Sequence, residues 1–146
     1  MVVTVKAYNE YQEGLHQKRV NWLSDSFYAT LHTGLSFVAT NSLWASIAAT
    51  QISSVTYPAY TAGGVALLSP TLASASNILT VDCDTIKFTS SGAIAASSVV
   101  IRNTTYEGDL LCLHIDLGTT VTSGATNNWW YVPDPTNGLY RQGDTV

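Results

Sequence analysis

With 146 residues, the chain has room for one domain with a genuine core and little for a second. Hydrophobic residues make up 46%, charged residues only 11%, and Ser with Thr about a quarter, against roughly 25% charge in an ordinary soluble domain. The net charge of −4 at pH 7 and the scattered cations Lys6, Lys18, Arg19, Lys87, Arg102 and Arg141 provide no basic stripe to displace counterions, which argues against nucleic acid as a partner, and no run of about 18 apolar residues exists to cross a membrane.

A polar surface without charge is poorly protected against self-association. It is either buried against partners, which is the favoured expectation, or the Ser/Thr-rich skin of an ordinary β domain. The opening MVVTVKAYNEYQEG has no basic segment leading into an apolar one, so no secretion signal is expected. Cys83 and Cys112, the only cysteines, lie outside any metal-ligand spacing and are expected as buried thiols in a chain made in the cytoplasm.

Residues 7–19 carry the first helical signal, with Tyr8, Tyr11 and Leu15 on one face at spacings of three and four and Gly14 as a weak point. This is either a short helix closing the end of a sheet or, over residues 1–20, an arm that docks on a neighbour. Residues 26–33 alternate: Phe27, Ala29 and Leu31 face one way, and Ser26, Tyr28, Thr30 and His32 the other, as in a half-buried strand. After Gly34, residues 41–50 predict a second short helix, capped by Asn41 or Ser42 and striped by Leu43, Trp44 and Ile47.

Strands and turns follow to the end. Strands are predicted at 51–57, stopped by Pro58, and at 65–69, stopped by Pro70, with Gly63 and Gly64 turning the chain between them. ILTVDC (78–83) precedes TIKFTS (85–90), in which Ile86 and Phe88 point inward. SSVVIRN (97–103) reverses at Gly108 into DLLCLHIDLG (109–118). Trp129, Trp130 and Tyr131 form an aromatic strand before Pro133, Pro135 and an Asn137–Gly138 turn, and 141–146 are expected to fray. Short strands at this spacing predict a mainly β, single-domain antiparallel β-sandwich or jelly-roll-like barrel over 1–146, flanked by one or two short helices.

Chemistry is thinly represented. Cys112, His114 and Asp116 share one face of a predicted strand and look like a nucleophile, base and orienter. Neighbours two apart on a strand, however, stand about 7 Å apart and parallel, so they do not converge on one atom. Asp82 and Asp84 flank a strand end and would need several more oxygens to hold Ca²⁺. His16, His32 and His114 are dispersed, and Gly63–Gly64 has no phosphate-loop context. No catalytic residue, metal site or cofactor is expected. Trp129 and Trp130 leave three readings open: core plugs, contacts to another subunit, or a stacking surface for a sugar.

The order of motifs resembles a family of small structural proteins of tailed bacteriophages. Asp25 to Thr33 fits D-x-hydrophobic-x-x-x-L-x-T, and Tyr60 to Leu67 fits Y-T-x-G-G-x-x-L. Gly108 to Gly118 fits G-D-x-L-x-x-x-I-D-x-G, and Trp129 to Tyr140 fits the closing aromatic strand. The stretch from Gly34 to Thr56 departs from the family pattern. The resemblance implies a non-enzymatic virion protein, first of all a capsid decoration (cement) subunit at capsomer junctions. The alternatives are a head–tail, tail or baseplate component, or a carbohydrate- or host-surface-binding β module. It implies other virion proteins as partners (the major capsid protein or head and tail proteins), the candidate sites of contact being read from the residues as Tyr8, Tyr11, Leu15, Trp44, Trp129, Trp130 and Tyr131, and homo-oligomerisation as the expected state.

Overall fold

The computed structural model describes residues 3–58, 60–76, 78–89, 92–124, 128–135 and 138–143. Among them the chain runs β1 (Thr4–Ala7), α1 (Asn9–His16), β2 (Phe27–His32), two 3-10 turns (Trp44–Ser46 and Ala48–Thr50), β3 (Val65–Ala66), β4 (Thr71–Ala75), β5 (Ile78–Asp82), β6 (Ile86–Phe88), β7 (Ala95–Asn103), β8 (Leu110–Thr122), β9 (Trp129–Tyr131) and β10 (Tyr140–Gly143). Every strand pairing is antiparallel. The largest sheet has the order β1-β8-β7-β2-β3, a second has β10-β5-β4, and β6 pairs with β9. The fold is the mainly β, sandwich-like one that the alternating strands predict, with one flanking helix.

The inner face of the large sheet contributes Phe27, Ala29 and Leu31 from β2, Val99 and Ile101 from β7, and Leu113, Ile115 and Leu117 from β8 to one core. Val81, Ile86, Phe88 and Trp129 of the smaller sheets pack into that same core, together with Tyr11 and Trp22. Side chains of facing sheets thus interdigitate as in a sandwich. The spine is the β7–β8 hairpin, turned through Gly108 and Asp109, both with positive φ.

A bulge changes which side chains β8 shows. Register passes from Ile101↔Leu113 to Arg102↔Leu111, so Cys112 is the extra residue. An extra residue inverts the alternation. Leu111 therefore leaves the face it was predicted to share with Leu113, Ile115 and Leu117, and packs with Tyr8, Ile47 and Val100 on the outer face. Cys112 turns into the inner core.

Other boundaries also differ from the sequence reading. The helix is eight residues long rather than spanning 7–19. Arg19 and Val20 both donate backbone N–H to Gly14 O, and Lys18 adopts a φ of 58°, which ends the helix in a left-handed turn. A Cβ at Gly14 would stand 2.9 Å from Val20 Cγ2, so any larger residue there forces the Val20 side chain to shift. Residues 41–50 form two 3-10 turns without side-chain caps instead of one helix. Residues 51–57 keep only the Gln51 bridge to His32 and then turn, since Ser53–Thr56 find no strand to pair with. The strand expected at 65–69 shrinks to two residues. Three strands lie outside the sequence expectation: β1, in the segment expected as an arm or helix, β4, and β10, whose Arg141, Gln142 and Gly143 pair with β5 where fraying is expected. Asn137, Asp144, Thr145 and Val146 lie outside the described residues. Among those described, no helix is long and apolar enough to cross a membrane.

Candidate functional site

The outer face of the large sheet is polar yet buried. Thr30 and His32 of β2, Ser98 and Arg102 of β7 and His114 of β8 are all nearly inaccessible. The chain between β2 and β3 covers them. Phe37 stacks on His114 with ring centroids 5.7 Å apart, contacts Tyr8 at 5.0 Å, and lies under Lys6 Nζ at 5.4 Å. Trp44 meets His32 edge-on at 5.6 Å and receives the Arg102 guanidinium over its ring at 4.4 Å, within cation–π range. Two aromatic rings thus hold the covering segment to the sheet.

Arg102 is the main tie. It pairs with Asp109 in the β7–β8 turn and donates from NH2 to Gly63 O at 2.8 Å. Gly64, next in that loop, has φ +83°, and a Cβ there would meet Ala29 O at 1.9 Å, so only glycine lets the loop approach β2. One guanidinium therefore joins three separate segments, two through its planar fork and the Trp44 segment through its face.

His32 is held at both nitrogens, Nε2 against Thr30 Oγ1 and Nδ1 against Thr50 Oγ1, each at 2.9 Å. Thr50 gives its own proton to Ile47 O at 2.8 Å, so it accepts from Nδ1–H. Nε2 then accepts from Thr30, whose other acceptor, Val100 O, is farther at 3.3 Å. The network assigns the neutral Nδ1–H tautomer. Burial first, then the neighbouring His114 and Arg102, push the His32 pKa down to about 3. His114 is likewise lowered by burial and Lys6, with Asp116 opposing. Neither His114 nitrogen has a hydrogen-bond partner among the described residues.

These features do not assemble a catalytic centre. The bulge sends Cys112 to the inner core, where its thiol donates to Leu110 O, while His114 lies under Phe37 on the other side of the sheet. Asp116 is exposed and accepts from Gly118 N–H. Burial, with Asp82 and Asp84 behind it, pushes the Cys83 thiol up to about 12, and burial raises Cys112 well above its ordinary range. Both are free thiols far from the thiolate state a nucleophile needs. Asp82 accepts from Cys83 N–H and Asp84 from Ser69 Oγ, and no group of three metal-ligating side chains occurs among the described residues.

The seven residues read as subunit contacts divide by burial. Tyr8, Tyr11 and Trp129 are at most 2% exposed. They belong to the interior: Tyr11 packs on Trp22, Tyr8 on Phe37, and Trp129 donates from Nε1 to Val121 O. They have no surface left to offer a neighbour. Leu15, Trp44 and Tyr131 are half-buried, and Trp44 is engaged by Arg102. Trp130 alone is prominently displayed, at 62% exposure, on the outward side of the β6–β9 pair opposite Lys87. The cleft beside it, lined by Val121, Thr122, Ser123, Asn128 and Trp129, holds about 110 Å³, well below the roughly 300 Å³ at which ligand pockets begin.

The larger surface feature is one that no motif announced. Residues 26–81 contain no Asp, Glu, Lys or Arg. They supply the aromatic cover, the exposed side chains Val55, Leu68 and Leu72, and β4, every residue of which is exposed. A scan along the sequence for charge-free windows finds this run, whereas a search for reactive residues passes over it. No family model matches the chain, and comparison with characterised proteins and with solved structures finds no match.

Proposed function

We propose that the chain is a non-enzymatic structural subunit of a tailed-phage virion, in the first place a capsid decoration protein seated at capsomer junctions, with other virion proteins as its partners. One observation carries the reading that it is a subunit: more than a third of the chain, residues 26–81, is free of charge and yet furnishes exposed apolar side chains and a wholly exposed strand. Such a surface lacks the repulsion that keeps monomers apart and suits burial against a neighbour. The assignment to a phage particle rests on the motif resemblance between Asp25 and Tyr140. Quantitative mass spectrometry of purified particles tests it. Hundreds of copies per particle are expected for decoration, a handful would move the protein to the head–tail junction or tail, and its absence from particles would sink the assignment.

A second reading, a carbohydrate-binding β module, is favoured by Trp130 alone. Its exposed ring beside a shallow cleft suits stacking on a pyranose face better than enclosure of a ligand. Binding of glycans that disappears in Trp130→Ala, with the fold intact, would favour this reading over the first.

A further inference from the structure

We infer that two copies of this chain pair through β4, edge to edge and antiparallel, about a two-fold axis at Ala73. The inference deepens the subunit reading by naming its partner, and rests on that reading only for the idea that the charge-free surface becomes buried.

The case begins with how the edges differ. Natural sheets protect exposed edges with charges, bulges or short length. β1 carries exposed Lys6, β10 carries Arg141, and β6 carries Lys87. β3 has two residues, and β9, also uncharged, has three. β4 has five residues, all exposed, with no charge and no bulge against β5. It ends its sheet, and among the described residues 70–76 makes no backbone hydrogen bond outside the β4–β5 ladder. Its row of outward N–H and C=O groups is a pairing template with nothing guarding it.

The occupant follows from the sequence of the strand. Self-pairing about Ala73 sets Ala73 against Ala73, Leu72 against Ser74 and Thr71 against Ala75. No like charges meet, and β4 carries none of the exposed cations that stand on β1, β6 and β10. No bulky pair collides either. Leu72 and Ser74 share the face of Val81 and Leu79, beside a groove lined by Leu15, Val20, Trp22, Leu72 and Leu79 together with the polar Lys18 and Asn21. In the pair, each Leu72 lies next to the other copy's Ser74 along that groove. The isologous contact closes on itself and joins two three-stranded sheets into one of six, leaving guarded β10 at both ends. Five residues a side fall short of the roughly 1,200 Å² that a standard stable complex covers, so the pair is a reversible one, with a dissociation constant on the order of 1–100 μM.

Sedimentation velocity on the isolated full chain at neutral pH tests this. A monomer–dimer equilibrium in that range is expected, weakened at least tenfold by Ala73→Lys, with circular dichroism unchanged because Ala73 is exposed. Should Ala73→Lys fail to fold, Ala73→Cys serves instead: oxidation should yield a cross-linked dimer, whereas Thr85→Cys, on exposed surface outside β4, should not. A chain that stays monomeric throughout overturns the pairing, as does a dimer indifferent to Ala73→Lys or an open-ended fibre. A monomer whose Ala73→Lys variant is excluded from particles would give the edge to another virion protein, overturning self-pairing while leaving the subunit reading standing. Absence from particles with the dimer intact would do the reverse.

Discussion

The two faces of the large sheet solve burial differently. The inner face is aliphatic and aromatic, and packs directly against the smaller sheets. The outer face buries two imidazoles, a guanidinium and three hydroxyls (those of Thr30, Ser98 and Tyr8), and depends on one loop to cover them. The inner face draws on contact area, which is insensitive to pH. Through Thr30, His32 and Arg102 the outer face draws on hydrogen bonds and a fixed protonation state, which are not. Mutations and acid should therefore separate them.

The largest effect belongs to the inner face. Leu113→Ala, at a fully buried position, should cost about 4 kcal/mol in urea unfolding, the typical loss for a core leucine. A loss below about 1 kcal/mol would mean that the sheets are not packed as described. On the outer face, Arg102→Ala should cost about 3 kcal/mol by stranding Asp109 and releasing Trp44 and the Gly63 loop. Arg102→Lys should restore little, since an ammonium lacks both the planar fork that reaches Asp109 and Gly63 O and the flat face that lies on Trp44.

Acid comes next. The folded pKa of His32 is about 3, below the unfolded value near 6.5, so unfolding takes up a proton between them. The stability conferred by neutral His32 is complete above about pH 6.5 and falls as pH drops toward 3, by up to about 1.4 kcal/mol per pH unit. His32→Gln should remove that part of the slope, measured as the difference between the two unfolding curves from pH 7 to 4. Equal slopes would locate the acid response elsewhere. The smallest effect is expected at Trp130, where Trp130→Ser should shift stability by no more than about 0.5 kcal/mol, despite the size of the ring.

Much of the sheet was legible in the sequence because its side chains alternate. Phe27, Ala29 and Leu31 face inward as their spacing requires, and so do Ile86 and Phe88. β4 was illegible for the opposite reason. Thr-Leu-Ala-Ser-Ala has no buried face to imprint a period of two, and its strand state comes from pairing with β5. The reversal at Cys112 was also hidden, because a bulge is a fact of register between strands and leaves no mark on either one alone. Helical spacing puts Tyr8 and Tyr11 on one face, but Tyr8 precedes the helix and packs on the outer side of the sheet while Tyr11 enters the inner core; spacing could not say that both rings would be spent inside the fold. The histidines are dispersed along the chain; pairing of β2, β7 and β8 brings His32 and His114 to one face. Arg102 looked like one more scattered cation until its three partners, remote in sequence, came together around it.

The pairing of Thr4 with Asp116 bears on how the chain reaches this state. The first strand is synthesised long before the one it joins, and loop closure over such a span is entropically costly. Among the described residues β1 pairs with no strand but β8, and Tyr8 N–H donates to Cys112 O, so this segment gains its place in the sheet only once β8 is there. The N-terminal segment is then a late-arriving closure of the fold. Pulse-labelled hydrogen exchange during refolding should find β7 and β8 amides protected before those of β1, which makes the beginning of the sequence the last part of the sheet to form.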